Sequence, residues 1–379
     1  MKSVGQLKIN LAAIQKNWQQ FDRLTSSNTN VAAVVKADAY GLGAKPVVKA
    51  LFEEGCNSFF VATLREAFEV KLAVSEVAPI EQRAPDIYIL SAIRKEDFPS
   101  CVEEAFIPVL YSVDQIKNWA EYCVGNSIDP QSAIKVDTGM HRLGISKSEL
   151  LDLVEEEKTL SACHPVLMMS HLACADDNEH PLNEEQLQCF EACAESFRSL
   201  FPEIKLSLSN SSGVFLGAQY HFDIVRAGIG LYGGNPAPYE KCKMLPVVNL
   251  DLPIAQVKEV VGPAAIGYGA TFAVSKNEKI KLAVALGGYA DGIFRSLSNA
   301  GEGFVAGKAV PMVGRVSMDS VIFDVSCIED NLLKNASVSL MGPDHVVDKL
   351  AGEANTISYE ILTSLGDRYD RNYVYSIAG

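Results

Sequence analysis

The stretch NVAAVVKADAYGLGA, residues 30–44, decides how the rest of the chain is read. An apolar run from Val31 to Val35 ends on Lys36, and a small, glycine-containing turn follows. So short an apolar run, bounded by turn residues, predicts a strand covered on both faces. The same rhythm returns seven times. Further strands are expected at Ser58–Ala62, Asp86–Ser91, Phe106–Tyr111, Ala133–Asp137, Val166–His171, Lys205–Ser209 and Phe222–Ala227. Helix-like segments lie between them, among them Ala44–Glu54, Val113–Cys123, Lys147–Lys158 and Asn183–Leu200. A short strand and an amphipathic helix, Leu11–Leu24, precede the first unit. Eight β units separated by helices over about 200 residues predict an α/β fold, a (β/α)8 barrel of the TIM type. A doubly wound open sheet is the main competitor, and the count of eight favours the barrel.

The composition changes after Gly233. NPAPYEKCKMLP, residues 235–246, carries three prolines and reads as a domain boundary. Strands are expected beyond it at Val247–Val261, Lys279–Leu286, Ala309–Val313, Val316–Val325 and Ser337–Met341, with helices at Val346–Glu353 and Ile357–Leu365. The expected division is residues 1–240 as a barrel and 241–379 as a mainly β C-terminal domain.

Thirty-three Lys and Arg against 47 Asp and Glu, in 379 residues, give a net charge of −14. That balance argues against a nucleic-acid or membrane-surface role. Nine scattered cysteines without a CxxC read as reduced thiols. No stretch approaches the ~18 consecutive apolar residues of a membrane span, and a cytoplasmic location is expected.

The chemistry gathers at one end of the predicted barrel. Lys36, ending the first strand Val31–Lys36, is placed at the mouth where barrel enzymes build their sites. In a desolvating setting it becomes an amine nucleophile. Other strands deliver Lys135, Asp137 and Arg142, then His171, then Asn210 and Ser211, then Arg226 with Gly228 and Ile229, and more weakly Tyr111, at or just beyond the same end. Cations, an amine and loop amides suit an anionic ligand that reacts with an amine. Pyridoxal 5'-phosphate meets both conditions. Gly228–Gly233 matches GxGxxG, but Asn235, Pro236 and Pro238 follow where a dinucleotide site needs a helix. The six histidines show no metal-ligand spacing, so no metal is expected. In the second half, polar islands interrupt apolar strands at IGYGATF (Tyr268), GYADG (Tyr289) and VGRVSMD (Met318).

These residues resemble the alanine racemases along nearly the whole chain. The resemblance rests on LKINLAAIQKNW, AVVKADAYGLGA, IKVDTGMHRLGI, SHLACADD, LSNSSG, VRAGIGLYG, IGYGATF, GYADG, VGRVSMD and TISYE, in family order. It implies a pyridoxal-phosphate enzyme in which Lys36 holds the cofactor covalently. Tyr40, Ser211, Gly228, Ile229 and Tyr359 would bind its phosphate, His171 would lie against the ring, and Arg226 would contact the ring nitrogen. Arg142 and the backbone N–H of Met318 would take the substrate carboxylate. Lys135 matches a position that family members can carry as a carbamate. Gly267 stands where the family often has Ser, Ser317 where Cys is common, and residues 366–371 depart from the family's Arg-Val-Pro-Arg.

Racemisation removes a Cα proton from one face and returns one to the other, which two bases on opposite faces do most simply. The expectation is Lys36 for the D-enantiomer and Tyr268 for the L-enantiomer. Tyr268 belongs to the second domain, so a homodimer with shared active sites is expected, each β domain capping its partner's barrel. The expected activity is interconversion of L- and D-alanine, supplying D-alanine for peptidoglycan. A serine or broad-specificity racemase is the alternative.

Overall fold

The computed structural model describes residues 4–78, 83–91, 93–240 and 244–375. The chain opens with β1 (Gln6–Asn10) and the helix Leu11–Leu24, whose first turn is capped by Asn10 accepting from Ala13 N–H at 3.1 Å. Eight parallel strands follow: β2 (Asn30–Val34), β3 (Ser58–Val61), β4 (Asp86–Ile89), β5 (Ile107–Leu110), β6 (Ser132–Lys135), β7 (Pro165–Met169), β8 (Lys205–Ser207) and β9 (Ile224–Ala227). They pair in sequence order from β2 to β8, and β9 returns onto β2. The β8–β9 seam is closed by a single bridge, Asn210 to Arg226. Arg226 N–H donates to Ser209 O at 3.0 Å across it, and Leu206 N–H donates to Asp223 Oδ2 at 2.8 Å. The result is the expected TIM-type barrel, closed but for that seam. One boundary differs. Strand β2 stops at Val34, so Lys36 opens the turn beyond the strand instead of ending it.

The second half is mainly β. It comprises β10 (Val248–Val261), the hairpin β11 (Ala264–Ile266) and β12 (Phe272–Val274), then β13 (Lys279–Leu286), β14 (Glu302–Val305), β15 (Lys308–Pro311), β16 (Ser320–Asp324), β17 (Ser337–Met341) and β18 (Asp370–Val374). The long β10 bends at a bulge between Ile254 and Gln256 and pairs with β17 and β1 at one end and β13 at the other. The expected strand Val316–Val325 shrinks to β16 because Val316–Asp319 forms a turn, with Ser317 N–H donating to Ser320 O.

Strand β1 corrects the assignment of all of residues 1–240 to the barrel. It lies antiparallel to β10 (Ile9↔Val248) and parallel to β18 (Ile9↔Tyr373), inside the second sheet. Its burial alternates, Leu7 and Ile9 inward and Gln6 and Lys8 outward, as in a sheet with one wet face. The expected boundary at 240/241 adjoins residues 241–243, which lie outside the described residues. Nearby, fully buried Asn17 fastens helix to connection: its Nδ2 donates to Leu231 O (3.2 Å) and Leu245 O (3.0 Å), and its Oδ1 accepts from Leu245 N–H (2.7 Å). One apolar cluster runs continuously through both halves.

Ile9→Ala should therefore loosen the second sheet although it lies ahead of the barrel. A loss of about 2–5 kcal/mol, measured by urea unfolding, is expected for this fully buried side chain.

Candidate active site

The turn after β2 is left-handed. Ala37, Asp38, Ala39 and Tyr40 all have φ between 52 and 57°, and none is glycine. Each such residue costs about 1–2 kcal/mol, so the turn exists only because its surroundings hold it. Ala37 N–H donates to Glu66 Oε1 (2.8 Å), Ala39 N–H to Val35 O (2.9 Å), Gly43 N–H to Asp38 O (2.9 Å) and Ala44 N–H to Asp38 Oδ1 (2.6 Å). From the second half, Arg371 Nη1 donates to Gly41 O (2.6 Å) and Tyr373 Oη to Leu42 O (3.1 Å). Gly41 is obligatory: its φ is 80°, and a Cβ there would lie 2.6 Å from Leu362 O.

Lys36 opens this turn among other cations. Burial lowers its pKa, and Arg142 and Arg226 lower it further, against Glu66 alone on the other side. Burial, with Arg226, Arg142 and Lys36, brings Lys135 down to about 8. Burial and then Arg226 hold His171 well below the usual imidazole range, so it is neutral. Arg226, brought down to about 9 by burial, is still cationic at neutral pH. Its Nη1 donates to Ser207 Oγ (2.5 Å); its Nη2 donates to Ser170 O (2.6 Å), Leu208 O (3.2 Å) and His171 Nδ1 (3.2 Å). That last bond leaves the His171 proton on Nε2. Four positive side chains thus share a mouth in which Glu66 and Asp137 are the opposing carboxylates acting on the two lysines. Such a site demands an anion.

An anion cradle lies beside them. Ser211 Oγ accepts from Gly228 N–H (2.7 Å) and Gly230 N–H (3.5 Å). A Cβ on Gly228 would stand 2.5 Å from Tyr40 Oη, so only glycine lets that hydroxyl meet the loop. Gly228–Gly233 leads into the single tight turn Ile229–Tyr232, not a long helix, in keeping with rejection of the dinucleotide reading. Tyr40 packs between Tyr232 and Tyr359, with centroids 4.6 and 5.7 Å away. A cavity of about 450 Å³ opens here, lined by Lys36, Tyr40, Tyr359 and Glu360. Asp348 ties the segment after the glycine loop to the helix that carries Tyr359, accepting from Asn235 N–H and from Ser358 Oγ (2.6 Å). Lys36, Tyr40, Lys135, Arg142, His171, Ser211, Arg226, Gly228, Ile229 and Tyr359 are therefore brought to one place.

Tyr268 and Met318 are not. Neither lines the cavity at Lys36, and they are 71% and 53% exposed. Gly267 and Gly269 flank Tyr268 with φ of 70 and 72°, and Arg315 packs against Gly269. Tyr289 N–H donates to Ser317 O (3.0 Å), so the GYADG and VSMD turns form one patch. The divergent segment 366–371 has defined contacts. Arg368 makes a two-pronged pair with fully buried Asp291 (2.6 and 2.7 Å) and reaches Asp319 (2.8 Å); Arg371 holds the left-handed turn. Sequence spacing gave no hint that Glu302, His345 and Glu353 converge, with Lys349 paired to Glu302. Glu66 was also missed, although Thr63-Leu-Arg-Glu66 is a readable helix-capping pattern.

Gly228→Ala should destabilise the protein by about 1–3 kcal/mol by driving its methyl group into Tyr40 Oη. Tyr40→Phe removes the clashing atom, so the double variant should recover part of that loss in thermal unfolding.

Comparisons with known proteins agree with this architecture. The family model "Alanine racemase, N-terminal domain" matches residues 9–236, and "Alanine racemase, C-terminal domain" matches residues 247–373. The alanine racemase of Rhodospirillum rubrum is 44% identical, over 98% of this chain and 96% of its own. A catabolic alanine racemase of Agrobacterium fabrum is 41% identical, over 98% and 92%. The crystal structure of alanine racemase from Bartonella henselae, with covalently bound pyridoxal phosphate, superposes with a TM-score of 0.87 at 33% identity, covering 98% of this chain and all of that one. No helix among the described residues is long and apolar enough to cross a membrane. With both family domains matched in order over nearly its full length, the chain belongs to the alanine racemases, isomerases that interconvert the two enantiomers of alanine.

Proposed function

We propose that this racemase works with pyridoxal 5'-phosphate held on Lys36 and with two bases, Lys36 and Tyr268, supplied by different subunits of a homodimer. The observation that carries the reading is Lys36 itself: a half-buried amine whose proton is destabilised by burial, Arg142 and Arg226, beside an anion cradle built on Ser211 and Gly228. The residues fit the cofactor. The cationic mouth matches its charge, and Gly228 leaves room for Tyr40 Oη at the loop amides. Tyr40, Ser211, Gly228, Ile229 and Tyr359 would hold the phosphate, His171 would lie against the ring, and Arg226 would face the ring nitrogen. Bound there, the cofactor would withdraw electrons from the substrate Cα and so acidify its C–H bond.

The chain's own groups do the rest. Lys36 Nζ takes or returns the proton on the D face, and its lowered pKa brings it toward the working range of a general base. Tyr268 Oη does so on the L face. Arg142 and the Met318 N–H orient the substrate carboxylate. Arg226, bonded to four acceptors, keeps its own protons, so a ring nitrogen held against it would stay unprotonated and side transamination would be disfavoured. The depressed pKa of Lys135 leaves part of its amine neutral, the form that reacts with carbon dioxide to give a carbamate. A role in providing D-alanine for peptidoglycan accords with the activity.

The exposure of Tyr268 and Met318 supports sharing between subunits, because a catalytic phenol open to water in one chain needs another chain to cover it. Lys36→Ala and Tyr268→Phe proteins, each nearly inactive, should regain activity when mixed and allowed to exchange subunits. Recovery should reach about half the parent value per heterodimer, since one site has both bases and the other neither. Confirmed exchange without recovered activity would place both bases on one chain. Tyr359 narrows the cavity, so Tyr359→Ala should raise turnover of larger amino acids relative to alanine, with serine assayed alongside to separate the broad-specificity reading.

A further inference from the structure

We propose that Glu66 is a positioning residue for Lys36, its carboxylate clamping the left-handed turn that presents the amine to the end of strand β3. The inference rests on the reading of Lys36 as the cofactor-bearing base. One carboxylate serves three backbone donors from two segments. Its Oε1 accepts from Ala37 N–H at 2.8 Å, the peptide immediately after Lys36. Its Oε2 accepts from Ala62 N–H at 2.6 Å and Thr63 N–H at 3.1 Å, where β3 passes into the helix Leu64–Ser75. Capping that helix needs only the second oxygen. The first is spent on a neighbouring loop 29 residues away in sequence.

The turn needs such a clamp. Four consecutive L-residues in the left-handed region revert to ordinary conformations unless fixed from outside, and reversion at Ala37 swings the Lys36 side chain away from the cavity. The clamp at Ala37 holds the peptide directly after Lys36; Asp38, Arg371 and Tyr373 hold the turn farther along. Glu66 is also the carboxylate that acts on Lys36, opposing Arg142 and Arg226. Removing its charge should make the amine easier to deprotonate while the turn loses its tether.

The test uses Glu66→Gln, Glu66→Asp and Thr63→Ala, each purified without cofactor and compared with the parent. Thr63 Oγ1 accepts from Glu66 N–H (3.3 Å), so Thr63→Ala damages the same helix cap without touching Ala37. The readout is the rate at which pyridoxal phosphate is captured on Lys36, followed by absorbance against pH, with the site of capture confirmed by borohydride reduction and peptide mapping. Glu66→Gln should move the pH midpoint of capture down, since the charge that opposes Arg142 and Arg226 at Lys36 is removed. Glu66→Asp keeps the charge but falls short of Ala37, so it should leave the midpoint near the parent's. Both should slow capture, and racemisation after loading, by about tenfold or more. Unchanged capture and racemisation in both Glu66 variants would overturn the proposal, as would an equal loss in Thr63→Ala, which would reduce Glu66 to a helix cap. If the parent itself captures the aldehyde on another lysine, the reading of Lys36 fails instead, and the two failures are distinct.

Discussion

The placement of Lys36 and Tyr40 at the barrel mouth depends on one strained piece of backbone. Ala37 to Tyr40 run left-handed without a glycine among them, which L-residues adopt only under duress. Their neighbourhood reads as a set of restraints. Glu66 and Asp38 take up amides, Tyr232 and Tyr359 flank the Tyr40 ring, and Arg371 and Tyr373 reach over from the β half to the carbonyls of Gly41 and Leu42. The second domain is thus a structural requirement of its own barrel's site, independently of any role toward a partner subunit.

The second organising feature is charge. The molecule carries a net −14, yet Lys36, Lys135, Arg142 and Arg226 face one another at the mouth. Gathering like charges in a partly buried space is unfavourable without a counter-charge. The fold lowers the cost by depressing the lysines and by giving Arg226 four acceptors. A bound anion would lower it further. An acidic exterior around a cationic pocket also limits adventitious binding of polyanions.

Most of the barrel was legible because its strands are buried on both faces and so appear as unbroken apolar runs. Lys135, His171 and Arg226 were legible for the same reason: a polar residue at the end of such a run has nowhere to be but the mouth. The left-handed turn was not, since Ala-Asp-Ala-Tyr carries no conformational signal of its own and its geometry is imposed by contacts remote in sequence. Glu66 was hidden behind its second duty as a helix cap. The pairing of β1 was hidden because alternation shows that a strand has one wet face but not which sheet it joins. The hairpin β11–β12 is two runs of three residues, too short for periodicity to register.

The position of β1 has a consequence for how the molecule is made. The strand precedes the whole barrel along the chain, yet its partners β10 and β18 both follow the barrel and are made only after it. The barrel, whose strands pair mainly with sequence neighbours, can assemble while β1 waits unpaired. Completion of the second sheet then requires a closure that joins Ile9 to Tyr373 around the whole barrel, the slow and entropically costly kind of contact. Until that closure, a short strand edge bearing Leu7 and Ile9 is open to pairing with other chains, and its charged Lys8 is the sort of residue that keeps such an edge from aggregating.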